Sequence, residues 1–516
     1  MNVNYCLRRG RQQSAKQLAI LDGDRAITYQ EFATMVETSA RRFAGLGVAP
    51  GERIAVLLGN GPAYLDLHFS IPMCGALIVP LNTRWNGAEV VSTLLDSGAT
   101  WLIADQRFAA IALECAGQVS GLKGVLFYGA GNCPKGMTDF RSVAPNEAVV
   151  FEDPHEDDVV GLFYTSGSTG GPKGAMLTHR NLFSNALHVL LPPSLVKSSS
   201  RYLHAAPMFH LADIGAILAV TMTGCTHAFL SSFDPEEVQR VIEKYRITNT
   251  LLIPVMLNMM LRHPSFGRYD LSSLECVSYG GTPMPRPLLA LAKEKLGCEF
   301  VQGYGMTELS PLVTALTNAE HRLDEGYQPV HSAGRAVCGV EVRIVDDLDR
   351  EVPLGEVGEI IARGANVMKG YWNRPEINAE ALRGGWMHTG DMGRMDEDGY
   401  VYVLDRKKDM IKPGGENVYS PEVEAVVAAH PAVMEVAVIG VPDAMWGEAV
   451  RAVVAVKPGM TLTEQELIAW SRERMTRFKC PTSVMFMEVL PKGGTGKIQK
   501  NVLRDGFGSS MAAKGT

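Results

Sequence analysis

"VVGLFYTSGSTGGPKGAMLTHRNLFSNALHVL", residues 159–190, decides the fold. It opens on a short apolar run, Val159–Tyr164. Three hydroxyls and three glycines then fill Ser166–Gly171 ahead of Lys173, and a segment with helical spacing follows. A short apolar run bounded by turn residues suits a buried strand. A glycine-rich turn between strand and helix exposes N–H groups that cradle anionic oxygens, and a nearby lysine adds charge. Thr165–Lys173 therefore reads as a phosphate-holding loop. It lacks the Gly-Lys-Ser/Thr of a P-loop, and GxGxxG does not occur there.

The same alternation extends outward on both sides. "RIAVLLG", "ALIVPL", "WLIAD" and "GVLFYG" suit strands of a parallel sheet, and "AAPMFH", "CTHAFL" and "LECVSYGG" continue the pattern. Thr28 and Glu31 form a capping box ahead of Phe32, Met35, Val36, Ala40 and Phe43, which recur at helical spacing. Asp234 caps "PEEVQRVIEKY" with Glu237 closing the box, and Gly297 ends "PRPLLALAKEKL". Strands alternating with helices mean an α/β architecture. From about residue 335 the pattern turns to β, in "VEVRIVDD", "GEIIARG" and the hairpin "GRMDEDGYVYVLDR". A smaller α/β pattern follows the charged stretch Asp405–Lys408, starting with a helix at Ser420.

Composition limits the function. A chain of 516 residues is too long for one ordinary core. Net charge is −7 with no long basic run, which argues against nucleic acid as a partner. Nine scattered cysteines without a Cys-x-x-Cys pair read as free thiols of a reducing compartment. The N-terminus lacks a signal-peptide pattern, and "FSIPMCGALIVPLN" is too short and interrupted to span a bilayer. The expectation is a cytoplasmic protein with no integral membrane segment; a homodimer is left open.

"YTSGSTGGPKGAM", "GYGMTELS", "HTGDMGRMDEDGYVYVLDRKKDMIKPGGENVYSPEVE" and "PKGGTGKIQK" occur in this order. Together they resemble the core motifs of the adenylate-forming enzymes, in the acyl-CoA synthetase branch. The likeness runs from the strand before "ITYQEF" to Lys500. It implies an α/β fold: a large N-terminal domain of two α/β sheets plus a β subdomain (1–405), which binds ATP and the acyl group, and a small mobile α+β C-terminal domain (406–516). It implies an ATP-dependent acid–CoA ligase that makes acyl-AMP with release of pyrophosphate and then the thioester. ATP, Mg²⁺ and coenzyme A are the cofactors implied, with a small carboxylic acid as substrate.

The resemblance also assigns residues. Thr165, Ser166, Gly167, Ser168, Thr169, Gly170 and Lys173 match the loop that holds the β- and γ-phosphates. Thr307 and Glu308 match positions that bind the α-phosphate and Mg²⁺, with Thr169 as a further metal contact. Gly280, Gly281, Thr282 and Tyr304 resemble the adenine wall. Asp391 matches the carboxylate that grips both ribose hydroxyls, a task suited to a group that accepts two hydrogen bonds; Arg406 matches a second ribose contact. Lys497 matches the lysine that bridges substrate carboxylate and α-phosphate, and Lys408 matches the hinge. Gly414 and Gly415 match the loop along the pantetheine tunnel, where Pro413 is a departure. Phe478 matches a stacking position for the coenzyme's adenine, but Cys480 and Thr482 stand where some relatives carry basic residues.

For the acid, His210 matches a histidine at the pocket mouth. Met306 and Gly305 belong to the same region, and Gly305 stands where acetate-specific relatives carry tryptophan. That implies a deep pocket with room at position 305, lined by Leu211, Ile214, Met306, Leu312 and Val313. A medium- or long-chain fatty acid is the first expectation, and a benzoate- or cinnamate-type acid the alternative. Asp213 lies where amino-acid-activating relatives carry an amino-binding aspartate, but its setting, "PMFHLADIGAI", is of the acyl-CoA synthetase type. An acyl-AMP ligase serving a carrier protein is a further alternative.

Overall fold

The computed structural model describes residues 1–165, 173–191, 196–197, 199–492 and 498–505. The chain divides into two units. The first takes in Met1–Val342, Ala362–His388 and Asp398–Val401; the second takes in Arg343–Ile361, Thr389–Glu397 and Tyr402–Thr516.

The first unit holds two large sheets. One runs in the order Gly370–Tyr371, Lys173–Thr178, Val159–Thr165, Leu77–Pro80, Arg53–Leu57, Trp101–Ala104, Gly124–Phe127 and Thr138–Asp139. From Val159–Thr165 onward its neighbours are parallel. The strand Arg53–Leu57 shows why its sequence is apolar throughout. Ile54 and Val56 enter one buried cluster, while Ala55 and Leu57 enter another on the opposite face. The second sheet runs Arg335–Ala336, Leu312–Leu316, Glu299–Gly305, Cys276–Gly280, Asn249–Leu251, Arg201–His204, Thr226–Phe229, Leu18–Asp22 and Arg25–Thr28. Its central strands, Glu299–Gly305 through Thr226–Phe229, are parallel.

The second unit carries the larger part of the four-stranded sheet Val340–Val345, Gly358–Gly364, Met387–Met395, Val401–Arg406, each of whose strands also has residues in the first unit. It also carries a three-stranded sheet, Val433–Asp443, Gly447–Val456 and Ser483–Phe486, with helices Ser420–Ala428 and Glu464–Arg472. Val423, Val427, Val438, Val450, Val454 and Leu467 form one of its cores. The α/β class, the added β sheet and the small C-terminal α+β part are thus as read from the sequence.

Local signals hold in most places. Thr28 and Glu31 form a reciprocal capping box, and Phe32, Val36, Ala40 and Phe43 are buried behind it. Gly297 ends its helix at φ 62°, a left-handed position that suits glycine. Two readings need correction. Asp234 accepts from the N–H groups of Glu236 and Glu237, but Glu237 pairs with Arg240 instead of closing the box. "AAPMFH" is not a strand, because the strand ends at His204. Asn60 takes over the backbone there: its amide donates to the carbonyls of His204 (3.0 Å) and Ala206 (2.7 Å), and its oxygen accepts from Met208 N–H (2.8 Å). Among the described residues no helix is long and apolar enough to cross a membrane.

Candidate active site

Strands Val159–Thr165 and Lys173–Thr178 form an antiparallel hairpin in which Thr165 lies opposite Lys173. The loop between them, with Ser166, Gly167, Ser168, Thr169 and Gly170, lies outside the described residues. Its base is well defined. Tyr164 donates its hydroxyl to Asp96 (2.7 Å), and Arg374 pairs with the other Asp96 oxygen (2.5 Å). Gly174, opposite Tyr164, is small enough for that ring to lie across it; a Cβ there would stand 3.0 Å from the ring.

Glu308 sits in a one-turn 3₁₀ helix, Thr307–Leu309, and is only 5% exposed. A carboxylate that buried requires donors. The Tyr371 hydroxyl supplies one, 2.7 Å from Oε1. Tyr371 in turn lies on the edge strand paired with Lys173–Thr178, in register with Ala175, and the Lys173 ammonium stands 5.6 Å from its ring centre. The hairpin and Glu308, well separated in sequence, thereby meet through one tyrosine.

The turn after Glu308 is pinned from two sides. Ser310 donates to the Asn366 carbonyl (2.8 Å), and the Asn366 amide donates to the carbonyls of Leu309 (2.9 Å) and Leu312 (3.0 Å). Asn185, on the helix His179–Leu190, accepts from Leu312 N–H (3.0 Å), and Asn181 on the same helix donates to the carbonyls of Ala365 and Val367. The Met306 N–H donates to the Pro311 carbonyl (3.1 Å). That carbonyl occupies the place a side chain at 305 would need, since a Cβ on Gly305 would collide with it. The expected room at position 305 is therefore absent: the glycine is there to let two backbone segments meet.

The other expected nucleotide and acid residues leave the carboxyl ends of parallel strands in the nine-stranded sheet, the usual place for a ligand crevice in α/β folds. Gly280 ends Cys276–Gly280, facing Gly303 of the next strand, and exposed Gly281 and Thr282 follow it. Tyr304 and Met306 are half-buried at the end of Glu299–Gly305. His210 follows the Asn60-held turn and is N-cap residue of the helix Leu211–Thr223; it is half-buried, its ring 4.3 Å from that of Phe209. Asp213 is fully buried and accepts from His204 (2.7 Å), whose other nitrogen meets His227 (2.9 Å). One oxygen of this aspartate is thus engaged by a histidine within the fold.

The second unit positions the expected ribose residues side by side. Asp391 is buried, and the Arg406 guanidinium pairs with its Oδ1 at 2.7 Å. Thr389 receives the Asp391 N–H (3.0 Å) and donates to the Ile360 carbonyl (2.7 Å). Next to them Lys407 bridges Asp347 (2.8 Å) and Glu359 (3.2 Å). Burial works against its charge, but these carboxylates outweigh that and raise its pKa. Lys408 is exposed. Gly414 and Gly415 adopt φ of 62° and 90°, and Gly414 lies under the Trp446 ring, where a Cβ would come to 2.9 Å. Phe478 is exposed, and Cys480 behind it is buried, its thiol pKa raised by that burial.

Lys497 lies outside the described residues, but both stems of its loop are fixed. Lys492 and Ile498 form a β-bridge. Lys500 reaches Glu424 (2.7 Å) and donates to Ser420 (2.5 Å), and Ser420 donates through N and Oγ to Asp405 (2.6 and 2.7 Å). Tyr371, Asn366, Asn60 and Lys500 were not singled out in the sequence. Only Lys500 carried a signal, as the last residue of "GTGKIQK".

The profile of the AMP-binding enzyme family matches residues 7–372, and that of the AMP-binding enzyme C-terminal domain matches 422–497. A feruloyl-CoA synthase of Amycolatopsis sp is 42% identical over 98% of this chain and 99% of its own. A long-chain-fatty-acid–CoA ligase of Mycobacterium tuberculosis is 34% identical over 99% of each. The solved o-succinylbenzoate CoA synthetase of Bacillus subtilis, in complex with its acyl-adenylate intermediate, superposes with a TM-score of 0.86 at 29% identity, covering 98% of both chains. The same protein is also solved with ATP and a magnesium ion. The residues here suit such a group: Mg²⁺ bound chiefly through phosphate oxygens needs one or two carboxylates, and buried Glu308 offers one near Lys173. Family, fold and motif set agree that the chain belongs to the adenylate-forming, AMP-binding enzymes, in their acyl-CoA synthetase branch, which work with ATP, Mg²⁺ and coenzyme A.

Proposed function

We propose that the chain joins an aromatic acid of the cinnamate type to coenzyme A through its acyl-adenylate. One observation carries the choice of acid. Of the five apolar residues expected along it, Leu211, Ile214 and Val313 are packed into the core, while Met306 and Leu312 are partly buried at its margin. A long flexible chain needs a channel walled by many apolar side chains; a flat ring needs a short slot. The 42% likeness to a feruloyl-CoA synthase, against 34% to a long-chain-fatty-acid–CoA ligase, points the same way. The fatty acid put first on the sequence alone becomes the second reading, supported by the latter relative.

The chain's own residues then take these parts. Thr165, Lys173 and the loop between them hold the β- and γ-phosphates, and Thr307 contacts the α-phosphate. Glu308 would hold Mg²⁺, which when bound would supply positive charge against leaving pyrophosphate. Asp391, paired with Arg406, accepts hydrogen bonds from the ribose diol. His210 guides the acid carboxylate, and Lys497 neutralises it against the α-phosphate as its oxygen attacks phosphorus in line with leaving pyrophosphate. Residues 406–516 then turn about Lys408. Gly414 and Gly415 let the thiol arm pass, its sulfur bonds to the acyl carbon, and the carbon–oxygen bond to AMP breaks.

The test is turnover with ATP and coenzyme A on ferulate, cinnamate and benzoate beside linear acids of six to sixteen carbons, reading AMP and thioester together. The expected result is AMP with pyrophosphate and at least about tenfold higher kcat/KM for a substituted cinnamate than for a linear acid of equal carbon number, as buried apolar contact predicts. Activity climbing steadily with linear chain length would put the fatty acid first. AMP without thioester would favour a carrier-protein acceptor, and ADP as the only nucleotide product would remove the reading altogether.

A further inference from the structure

We infer that Tyr371 is a positioning residue that holds Glu308 in its metal-ready orientation and ties it to the phosphate-loop lysine. The inference rests on the proposed role of Glu308 and adds a residue to it. Three observations converge. The Tyr371 hydroxyl donates to Glu308 Oε1 at 2.7 Å, and both residues are buried. The ring face lies 5.6 Å from the Lys173 ammonium, within range of a cation–π attraction. The tyrosine is itself immobilised: Asn378 receives its N–H (2.6 Å) and donates to its carbonyl (2.9 Å).

The backbone around it repeats the same link. Met368 N–H donates to the Glu308 carbonyl (2.9 Å), Lys369 N–H to the Met176 carbonyl (3.0 Å), and Trp372 N–H to the Gly174 carbonyl (2.8 Å). Residues 368–372 thus form a strap joined at one end to Glu308 and along its length to the strand that begins at Lys173. A carboxylate with two oxygens can turn about its last bond. A donor fixed on Oε1 selects one orientation and leaves the second oxygen's direction determined. The ring, meanwhile, sets how near the Lys173 ammonium lies to that carboxylate. A displacement of either partner is therefore felt by the other, which is what a site that grips phosphate and metal together requires.

The full chain carrying Tyr371→Phe tests this, because the substitution removes the hydroxyl and keeps the ring. Binding of a non-hydrolysable ATP analogue is measured by calorimetry with Mg²⁺ and with chelator, beside Mg²⁺ titrations of pyrophosphate release and thermal unfolding. The expected result is about tenfold weaker Mg²⁺-dependent binding and a Mg²⁺ midpoint raised by a similar factor, the scale of one lost charge-assisted hydrogen bond. Binding in chelator should match the parent, and Tm should fall by no more than a few degrees, the cost of one buried carboxylate oxygen losing its donor. Glu308→Gln separates the two claims. If that variant keeps the parent's Mg²⁺ dependence, the role of Glu308 fails. If it loses that dependence while Tyr371→Phe keeps it, only the present inference fails. Combining both substitutions should cost no more than Glu308→Gln alone. An equal additional loss on top of Glu308→Gln, or a Tm fall that accounts for the change, would mark Tyr371 as merely structural and overturn the inference.

Discussion

Asp66 shows what one buried residue does to the whole chain's response to pH. One of its oxygens accepts from Ser39 (2.6 Å) and Tyr128 (2.7 Å), while Oδ1 has no hydrogen-bond partner among the described residues. Burial lifts its carboxyl to about 7, against the opposing pull of Ser39, Tyr128, Arg42 and Ser70. The folded pKa stands above the roughly 3.9 of an unfolded aspartate, so the native state binds the proton more tightly. The resulting stability is full below pH 4 and is lost as pH rises through 7. Asp66→Asn removes that loss, so the variant should gain several degrees of Tm on the parent between pH 5 and 8, read by calorimetry across that range. His68, pressed down to about 4 by burial, acts in the opposite sense but is common to both proteins and cancels. Parallel curves would show that Asp66 does not titrate there. Neither this carboxylate nor Tyr371 was legible in the sequence, because burial and cross-chain contact have no local spacing. Lys173 was singled out by the glycine- and hydroxyl-rich run before it, whereas Glu308 and Asp391 were singled out only because the motifs around them resemble those of a known family.

Elements were read well where a helix end carries its own cap, as at Thr28 and Gly297. They were read poorly where a distant side chain ends them, as Asn60 ends the strand before "AAPMFH". The helix that starts at Ser420 gives a case with consequences for the Lys497 loop. Lys500 ties that helix to the stem of the loop, and it holds a Glu424 whose pKa is raised by burial and lowered in turn by the lysine. Lys500→Met strands the Glu424 charge and should destabilise the C-terminal part by about 1–3 kcal/mol, less than a fully buried pair because both partners keep some solvent contact. Adding Glu424→Met should recover most of that loss, since an apolar pair replaces a partly buried ionic one at little cost. Thermal unfolding of the single and double variants, with adenylation rates beside them, checks both statements. A double variant no more stable than Lys500→Met would show that the pair is not the source.

At the scale of the molecule, two half-reactions share one set of motifs spread over two units. If Lys497 serves only the first, Lys497→Ala should cut acyl-AMP formation by about 10²-fold or more, the scale of one lost transition-state donor. Thioester formation from supplied acyl-AMP should then survive. Separate stopped-flow measurement of the two steps checks this, and equal loss of both would contradict separate poses for them. The order in which the active site is assembled is already written in the sheet that bears it. Ala175 finds its edge partner only at Tyr371, far later in the chain. A growing polypeptide folds from its N-terminus as it is made, so the strand after the phosphate loop waits with an unpaired edge until the segment around residue 370 has left the ribosome. An open edge is where chains stick to one another. One late event of synthesis therefore both joins Glu308 to this hairpin through Tyr371 and covers the hairpin's open edge.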